Sequence, residues 1–218
     1  MSAGTGKLWG TIAGPVDHEL VVKKSRFLAH LSPVASVEDA DAVIARLRKE
    51  HWDARHHCVA LVVGAHADQQ RSTDDGEPSG TAGVPMLEVL RHRQVTDVVA
   101  VVTRYFGGVL LGAGGLVRAY SSAVSEALDV ARPVRRAVLT AVRVDVPHAD
   151  AGRLHGVLRD WAAQHDGSLE DVTYVTEAEF TVLVPPTELD RFDADLAAAT
   201  SGTLTAHRGT DRVVDLPA

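Results

Sequence analysis

Cysteine is nearly absent: Cys58 stands alone in 218 residues. One thiol excludes an intramolecular disulfide and any zinc site built from several cysteines. No apolar run approaches the roughly 18 residues that cross a bilayer. No hydrophobic segment follows Met1-Ser2-Ala3-Gly4-Thr5-Gly6-Lys7, so no signal peptide is expected. No internal repeat or low-complexity stretch appears. Positive charge is not in surplus either: the net charge is −7, which argues against non-specific binding of nucleic acid by the whole surface. The 45% hydrophobic and 23% charged residues are those of an ordinary globular chain that builds a core of normal size. These absences point to a cytoplasmic protein with no membrane partner.

The charge is unevenly placed. Residues 1–135 carry 15 Lys and Arg against 15 Asp and Glu, whereas residues 136–218 carry 7 against 14. The whole deficit lies in the last 83 residues, which predicts two domains, 1–135 and 136–218, with different surfaces. Arg132-Pro133-Val134-Arg135-Arg136 reads as the linker, because proline ends the preceding helix.

Short β-rich segments run over Glu19–Val22 and Arg26–Leu31, with Lys23-Lys24-Ser25-Arg26 between them on a turn or at a strand end. Ser36 predicts a helix cap, and Ala40, Val43, Ile44 and Leu47 give one apolar face at helical period. Cys58–Val63 and Val98–Val102 are short, β-branched and apolar, so both read as buried strands. Gly64–Arg71 between them reads as a polar connection. Pro85 suits the first turn of a helix, and Leu116–Val130 reads as another. The remainder predicts strand 138–146, helix 149–164, strands 169–176 and 178–184, helix 187–199 and strand 203–207. That βαββαβ order is the split βαβ pattern of a ferredoxin-like domain, and the chain as a whole reads as α+β.

Two glycine-rich loops flank the Val98–Val102 strand. The first is Ser72-Thr73-Asp74-Asp75-Gly76-Glu77-Pro78-Ser79-Gly80-Thr81-Ala82-Gly83. The second follows Arg104-Tyr105-Phe106 and holds Gly107, Gly108, Gly112, Gly114 and Gly115 before Leu116-Val117-Arg118-Ala119-Tyr120. A glycine loop that opens a helix offers free amides and partial positive charge, so an anion fits there, with Arg104 and Arg118 as flanking cations. The loop is neither a Walker A loop nor a dinucleotide fingerprint, because no Gly-Lys-Ser/Thr closes it and no G-x-G-x-x-G spacing occurs. The alternative is that these glycines only permit tight packing of loop on helix.

Asp74, Asp75 and Glu77 could bind a divalent ion or exchange protons. Asp-Gly and Glu-Pro are turn dipeptides, however, and a solvated turn is the preferred reading. Asp53, His56, His57 and Cys58 invite a metal or thiol reading. His57 and Cys58 point to opposite faces of a strand, and cysteine opening a buried strand is a small core residue. Ser79, Thr81, Ser121 and Ser122 sit in no nucleophile elbow. No catalytic residue, metal ligand or cofactor is therefore assigned. Lys23, Lys24, Arg26, Arg55, Arg104 and Arg118 with Tyr105, Phe106 and Tyr120 form a basic and aromatic set suited to RNA, if they share a face.

Lys24-Ser25-Arg26-Phe27, Asp53 to Cys58, Asp74 to Gly83, and Arg104 to Gly108 through Gly114 to Tyr120 closely resemble the YigZ/IMPACT family. The resemblance covers residues 15–130 strongly and the rest by domain order. It implies an N-terminal α/β domain similar to the second domain of a small-subunit ribosomal protein. It also implies a C-terminal ferredoxin-like domain similar to the last domain of elongation factor G. Eukaryotic members restrain the amino-acid-starvation kinase through its activator and carry an extra N-terminal domain that this sequence lacks. The order here is that of the bacterial two-domain form. The expectation is a non-enzymatic, translation-associated regulator that binds RNA, the ribosome or a translation-related protein. Its contact residues would be Lys23, Lys24, Arg26, Arg55, Arg104, Arg118 and the glycines of the second loop. The alternative is an enzyme acting on a phosphorylated or peptide-like small substrate, with Asp74, Asp75, Glu77, Ser79 and Thr81 facing the second loop.

Overall fold

A computed structural model describes residues 8–217. Met1–Lys7, read above as lacking a signal peptide, lies outside the described residues. The chain divides into two compact units: one runs through Arg136 with Leu216 joined to it, and the other is Ala137–Asp215.

The first unit holds strands β1 (Thr11–Ile12), β2 (Val16–Val22), β3 (Ser25–Pro33), β4 (His56–Val63), β5 (Gln69–Thr73) and β6 (Val98–Tyr105). Its helices are α1 (Val37–Glu50), α2 (Gly83–His92) and α3 (Ala113–Val130). The sheet runs β2-β3-β6-β4-β5, and every neighbouring pair is antiparallel. The unit is thus α+β, with helices on both faces of one antiparallel sheet. Side chains alternate across a strand, so β4 and β6 each feed two cores. Cys58, Ala60, Val62, Val98, Ala100 and Val102 pack with α2 and α3. Val59, Leu61, Val63, Val99 and Val101 pack with α1. Burial on both faces is why these strands read as continuous apolar runs.

Helix α1 starts where the sequence predicts. Ser36 accepts a hydrogen bond from the Asp39 amide at 3.1 Å, while Asp39 reaches back to the Ala35 amide at 3.2 Å. Arg48 and Lys49 sit in its last turn, where cations suit the dipole. The expected connection 64–71 instead leads into β5, an edge strand paired with β4 from Val59↔Thr73 to Val63↔Gln69. Its residues Gln-Gln-Arg-Ser-Thr are polar because the strand lies at the sheet edge, so they carry no apolar alternation.

The expected linker is also structured. Pro133 opens strand β7 (Pro133–Val146), and its first residues pair with β1 as Thr11↔Val134 and Ile12↔Pro133. Proline is tolerated as the first residue of a strand. The second unit continues with α4 (Ala151–Gln164), β8 (Ser168–Leu169), β9 (Thr173–Tyr174), β10 (Ala178–Val184), α5 (Leu189–Thr200) and β11 (Ala206–Pro217). Its strands lie in the order β11, β7, β10, with β8 and β9 both on the far edge of β10. The strand predicted over 169–176 is therefore two short pieces. The final strand begins three residues later than predicted and runs longer, because His-Arg-Gly-Thr-Asp-Arg conceals it in a polar pattern. Val142, Val144, Val146, Leu154, Leu158, Phe180 and Phe192 form this unit's core.

Candidate functional site at the two glycine loops

One end of the five-stranded sheet collects the loops. The turn after β2, the end of β6, the start of β4 and the segment after β5 all lie there, since Arg26 pairs with Tyr105, His56 with Arg104 and Val59 with Thr73. The two glycine loops meet at this end. A cavity of 380 Å³ is walled by Arg55, His56, Glu77 and Pro78 on one side, and by Arg104, Phe106 and the 110–113 segment with Leu116 on the other.

The first loop is built around its carboxylates. Asp74 Oδ1 accepts the amides of Ala82 and Gly83 at 3.0 and 2.8 Å, and Oδ2 accepts that of Gly80 at 2.7 Å. Asp74 thereby caps the start of α2, which has no side-chain cap of its own. Burial alone would raise the Asp74 pKa, but the three amides outweigh it and hold it below the usual aspartate value. Asp75 accepts from Arg48 at 2.9 Å and from the His57 amide at 2.7 Å, while His56 Nδ1 donates to its carbonyl at 2.9 Å. Among the described residues no cluster of three or more His, Cys, Asp or Glu has metal-binding geometry. Thr81 Oγ1 donates to the Pro78 carbonyl at 2.6 Å, and Ser79 is exposed.

Glu77 turns inward and ties the loops together. Its Oε1 accepts from Arg104 Nη1 at 2.6 Å and from the Tyr120 hydroxyl at 2.8 Å. Arg104 is 6% exposed, so it is a wall of the cavity and not a surface cation. Its guanidinium lies 5.3 Å from the Phe27 ring and 5.7 Å from the Phe106 ring. The Arg104 Nε is buried without a hydrogen-bond partner. Tyr120 packs edge-on against Phe27 at 5.1 Å, and burial with Cys58 and Glu77 beside it holds its phenol far above the ordinary value. Cys58 is fully buried and its thiol donates to the Asp74 carbonyl at 3.0 Å. Burial pushes that thiol up to about 12, with Glu77, Asp75 and Asp74 adding to the rise. Such a thiol is not a nucleophile at neutral pH.

The second loop is arranged differently. Gly112, at φ +72°, precedes α3 with no side-chain cap. Its carbonyl takes the Gly115 and Leu116 amides at 3.1 and 2.9 Å. The start of α3 therefore lines the cavity without a carboxylate such as Asp74 supplies to α2. Gly107 docks the β2–β3 turn: its amide donates to Ser25 Oγ at 3.1 Å, and a Cβ there would lie 2.0 Å from the Lys24 carbonyl carbon. Only glycine permits that approach.

The basic residues sort into two groups. Lys23, Lys24, Arg55 and Arg118 are exposed and make no ion pair among the described residues. Arg26 is held by Glu19 at 2.6 Å and lies 5.8 Å from the Tyr105 ring. Lys24 borders Gly107, Arg55 lines the cavity, and Arg118 Nη1 comes within 3.7 Å of the Cβ position of Gly114. Sequence reasoning missed Leu110 and Leu111 as cavity residues. Apolar side chains between glycine pairs were the available signal, and Leu110 is 84% exposed. It also missed a second cavity beside α1, also 380 Å³, walled in part by Asp17, His18, His30 and His51. There His30 is held on both ring nitrogens, by Asp17 at 2.7 Å and Arg46 at 3.1 Å.

Residues 23–128 match the Impact N-terminal domain, and residues 144–203 match a domain of unknown function, DUF1949. The chain is 41% identical over 192 residues to IMPACT family member YvyE of Bacillus subtilis, covering 88% of this chain and 87% of that one. The chain belongs to the IMPACT family. It is also 40% identical to family member YigZ of Escherichia coli, over 90% of this chain and 95% of that protein. Human Protein IMPACT matches at 33% identity, over 45% of this chain and 32% of its own length. A solved structure titled as that of an hypothetical protein superposes with a TM-score of 0.59 at 38% identity, covering 94% of this chain and 98% of that one. The cavity between the glycine loops lies within the Impact N-terminal match. No helix among the described residues is long and apolar enough to cross a membrane.

Proposed function

We propose that this chain is a translation-associated, non-enzymatic binding protein that grips RNA, free or on the ribosome, at the loop end of its first unit. The observation that carries the reading is the convergence of unpaired cations on an uncapped helix start. Arg55 lines the cavity together with Gly112 and Ala113, Arg118 Nη1 lies 3.7 Å from the Cβ position of Gly114 in the same loop, and the Lys24 backbone packs on Gly107. Helix N-termini and exposed cations both favour phosphate oxygens. The translation association rests on the family resemblance.

The turn lysines support the reading independently. Lys23 and Lys24 adopt φ +46° and +67°, the left-handed region that a two-residue hairpin turn fills best with Asn-Gly. Lysine there costs local strain, and both side chains are exposed. The second unit, with 6 Lys and Arg against 14 Asp and Glu over 137–215, would repel a phosphate backbone. We therefore assign RNA contact to the first unit, and read the second, on its strand order, as ferredoxin-like.

The rival reading, an enzyme at the same loops, needs a carboxylate free to take a proton. Both oxygens of Asp74 and of Asp75 are already engaged by protein donors, and Glu77 is held by Arg104 and Tyr120. The test is co-sedimentation of the full chain with ribosomes or RNA at low and high salt, with and without nuclease. Salt-sensitive, nuclease-sensitive co-migration supports RNA binding, and migration as a free protein under every condition refutes it.

A further inference from the structure

The cavity between the glycine loops has the build of a single-nucleotide site. Phe106 is 51% exposed. The Arg104 guanidinium lies on its ring and is itself fixed by Glu77 and Phe27. The ring is half exposed and lines the cavity. Aromatic platforms of this kind stack bases of any identity. Gly112 and Ala113, at the uncapped start of α3, and Arg55 also line the cavity.

Arg104 is the second arginine of the cavity wall. It is 6% exposed and keeps its Nε without a partner. The carboxylate of Glu77 does not oppose an anion here, because Arg104 and Tyr120 both donate to it. The volume of 380 Å³ lies at the small end of the ~300–1,000 Å³ range of small-molecule sites. One nucleotide fits such a space and a duplex does not.

We infer that the cavity takes one unstacked nucleotide of single-stranded RNA, its base on Phe106 and its phosphate at the start of α3 beside Arg55. The inference rests on the RNA-binding reading and narrows it to single strands. An apolar rim at Leu110 and Leu111 shields the stacked base from water, while Arg118 and the turn lysines serve the neighbouring phosphates.

The test measures binding of the full chain to a labelled single-stranded RNA, a duplex of equal length, adenosine 5′-monophosphate and ribose 5-phosphate. The single strand should bind more tightly than the duplex, and the monophosphate more tightly than ribose 5-phosphate. Phe106→Ala should weaken the single strand and the monophosphate roughly tenfold to a hundredfold and leave ribose 5-phosphate unchanged. Phe106→Leu, which keeps an apolar side chain, checks that the loss is not one of folding. Ala113→Asp places a carboxylate at the helix start, where it favours the helix, and should abolish monophosphate binding without lowering stability. Duplex binding equal to single-strand binding, with Phe106→Ala indifferent for every probe, overturns the nucleotide site while leaving RNA binding standing. Monophosphate binding that depends on Phe106, with neither RNA bound, keeps the site and removes the RNA reading. No binding of any probe removes both.

Discussion

Glu77 and Arg104 form the only strongly buried carboxylate–guanidinium pair among the described ion pairs, at 4% and 7% side-chain exposure. Removing one partner strands the other in a dry site. Arg104→Met should lower unfolding free energy by about 3–5 kcal/mol in urea denaturation. The double variant Glu77→Leu with Arg104→Met should recover much of that loss, since an apolar pair of similar volume is often neutral. A double variant no more stable than the single one would show that the pair is not a coupled unit. This also explains why Arg104→Ala is a poor probe of RNA contact: it perturbs the fold first.

Asp74 makes a prediction about pH. Its pKa is held below the usual value by the amides of Gly80, Gly83 and Ala82, against burial. The folded state therefore binds this proton less readily than the unfolded chain does. The resulting stability is fully present above the ordinary aspartate pKa near ~4 and is lost as pH falls through the lowered native value. Asp74→Asn should be less stable than the wild type at neutral pH, and the gap should narrow over the acid range, as pH falls below about 4. A constant gap over that range would mean that the charge of Asp74 contributes nothing. His57 acts in a higher window. Burial lowers its pKa, despite the nearby Asp75 charge, so protonation costs stability as pH falls below its ordinary value near ~6.5.

At the scale of elements, each glycine loop leads into a helix, and the two helix starts differ. The start of α2 is capped by Asp74, whereas that of α3 is left open. The sequence shows both glycine clusters but not this difference, because the cap of α2 comes from eight residues before its N-cap and not from the usual capping position. The strands β4 and β6 were legible from their β-branched apolar runs, and α1 from its cap and its apolar face. Strand β5 was not, because an edge strand of Gln, Arg, Ser and Thr follows the same composition as a loop. The start of β7 was hidden for a related reason, since Pro133 signals a break whether or not a strand follows. That Glu77 points inward to Arg104 was invisible for a different reason. It depends on an ion pair between residues 27 apart, and no local pattern encodes it.

The β2–β3 turn provides a test at this scale. Replacing Lys23-Lys24 by Asn-Gly fits the observed left-handed backbone, and should raise stability by on the order of 1 kcal/mol. The same change should weaken RNA binding. A variant both more stable and fully able to bind RNA would remove the turn lysines from the interface. Gly107→Ala should act in the opposite way, because its Cβ would collide with the Lys24–Ser25 backbone. Overpacking there should cost about 1–3 kcal/mol and undock the turn. In α4, by contrast, a Cβ on Gly156 meets no atom within 4 Å. Gly156→Ala should stabilise the second unit by about 0.5–1 kcal/mol, read as a raised melting temperature with no change in binding.

For the molecule as a whole, the uneven charge gives the two units different surfaces. The first unit combines balanced charge with a loop end where Lys23, Lys24, Arg55 and Arg118 lack acidic partners among the described residues. Acidic residues elsewhere in that unit are held by arginines, as in Arg71–Asp41, Arg93–Asp129 and Arg136–Asp97. Net charge of −7 thus coexists with a local group of exposed, unpaired cations. The central claim is that this surface grips phosphates. It is tested most directly by the salt dependence of single-stranded RNA binding, compared between the wild-type chain and Arg55→Ala with Arg118→Ala. Both residues are exposed, so the variant should keep its urea midpoint. The account predicts weaker binding and a log–log salt slope shallower by about 0.7 for each phosphate that the variant no longer neutralises. An unchanged affinity and an unchanged slope would contradict it.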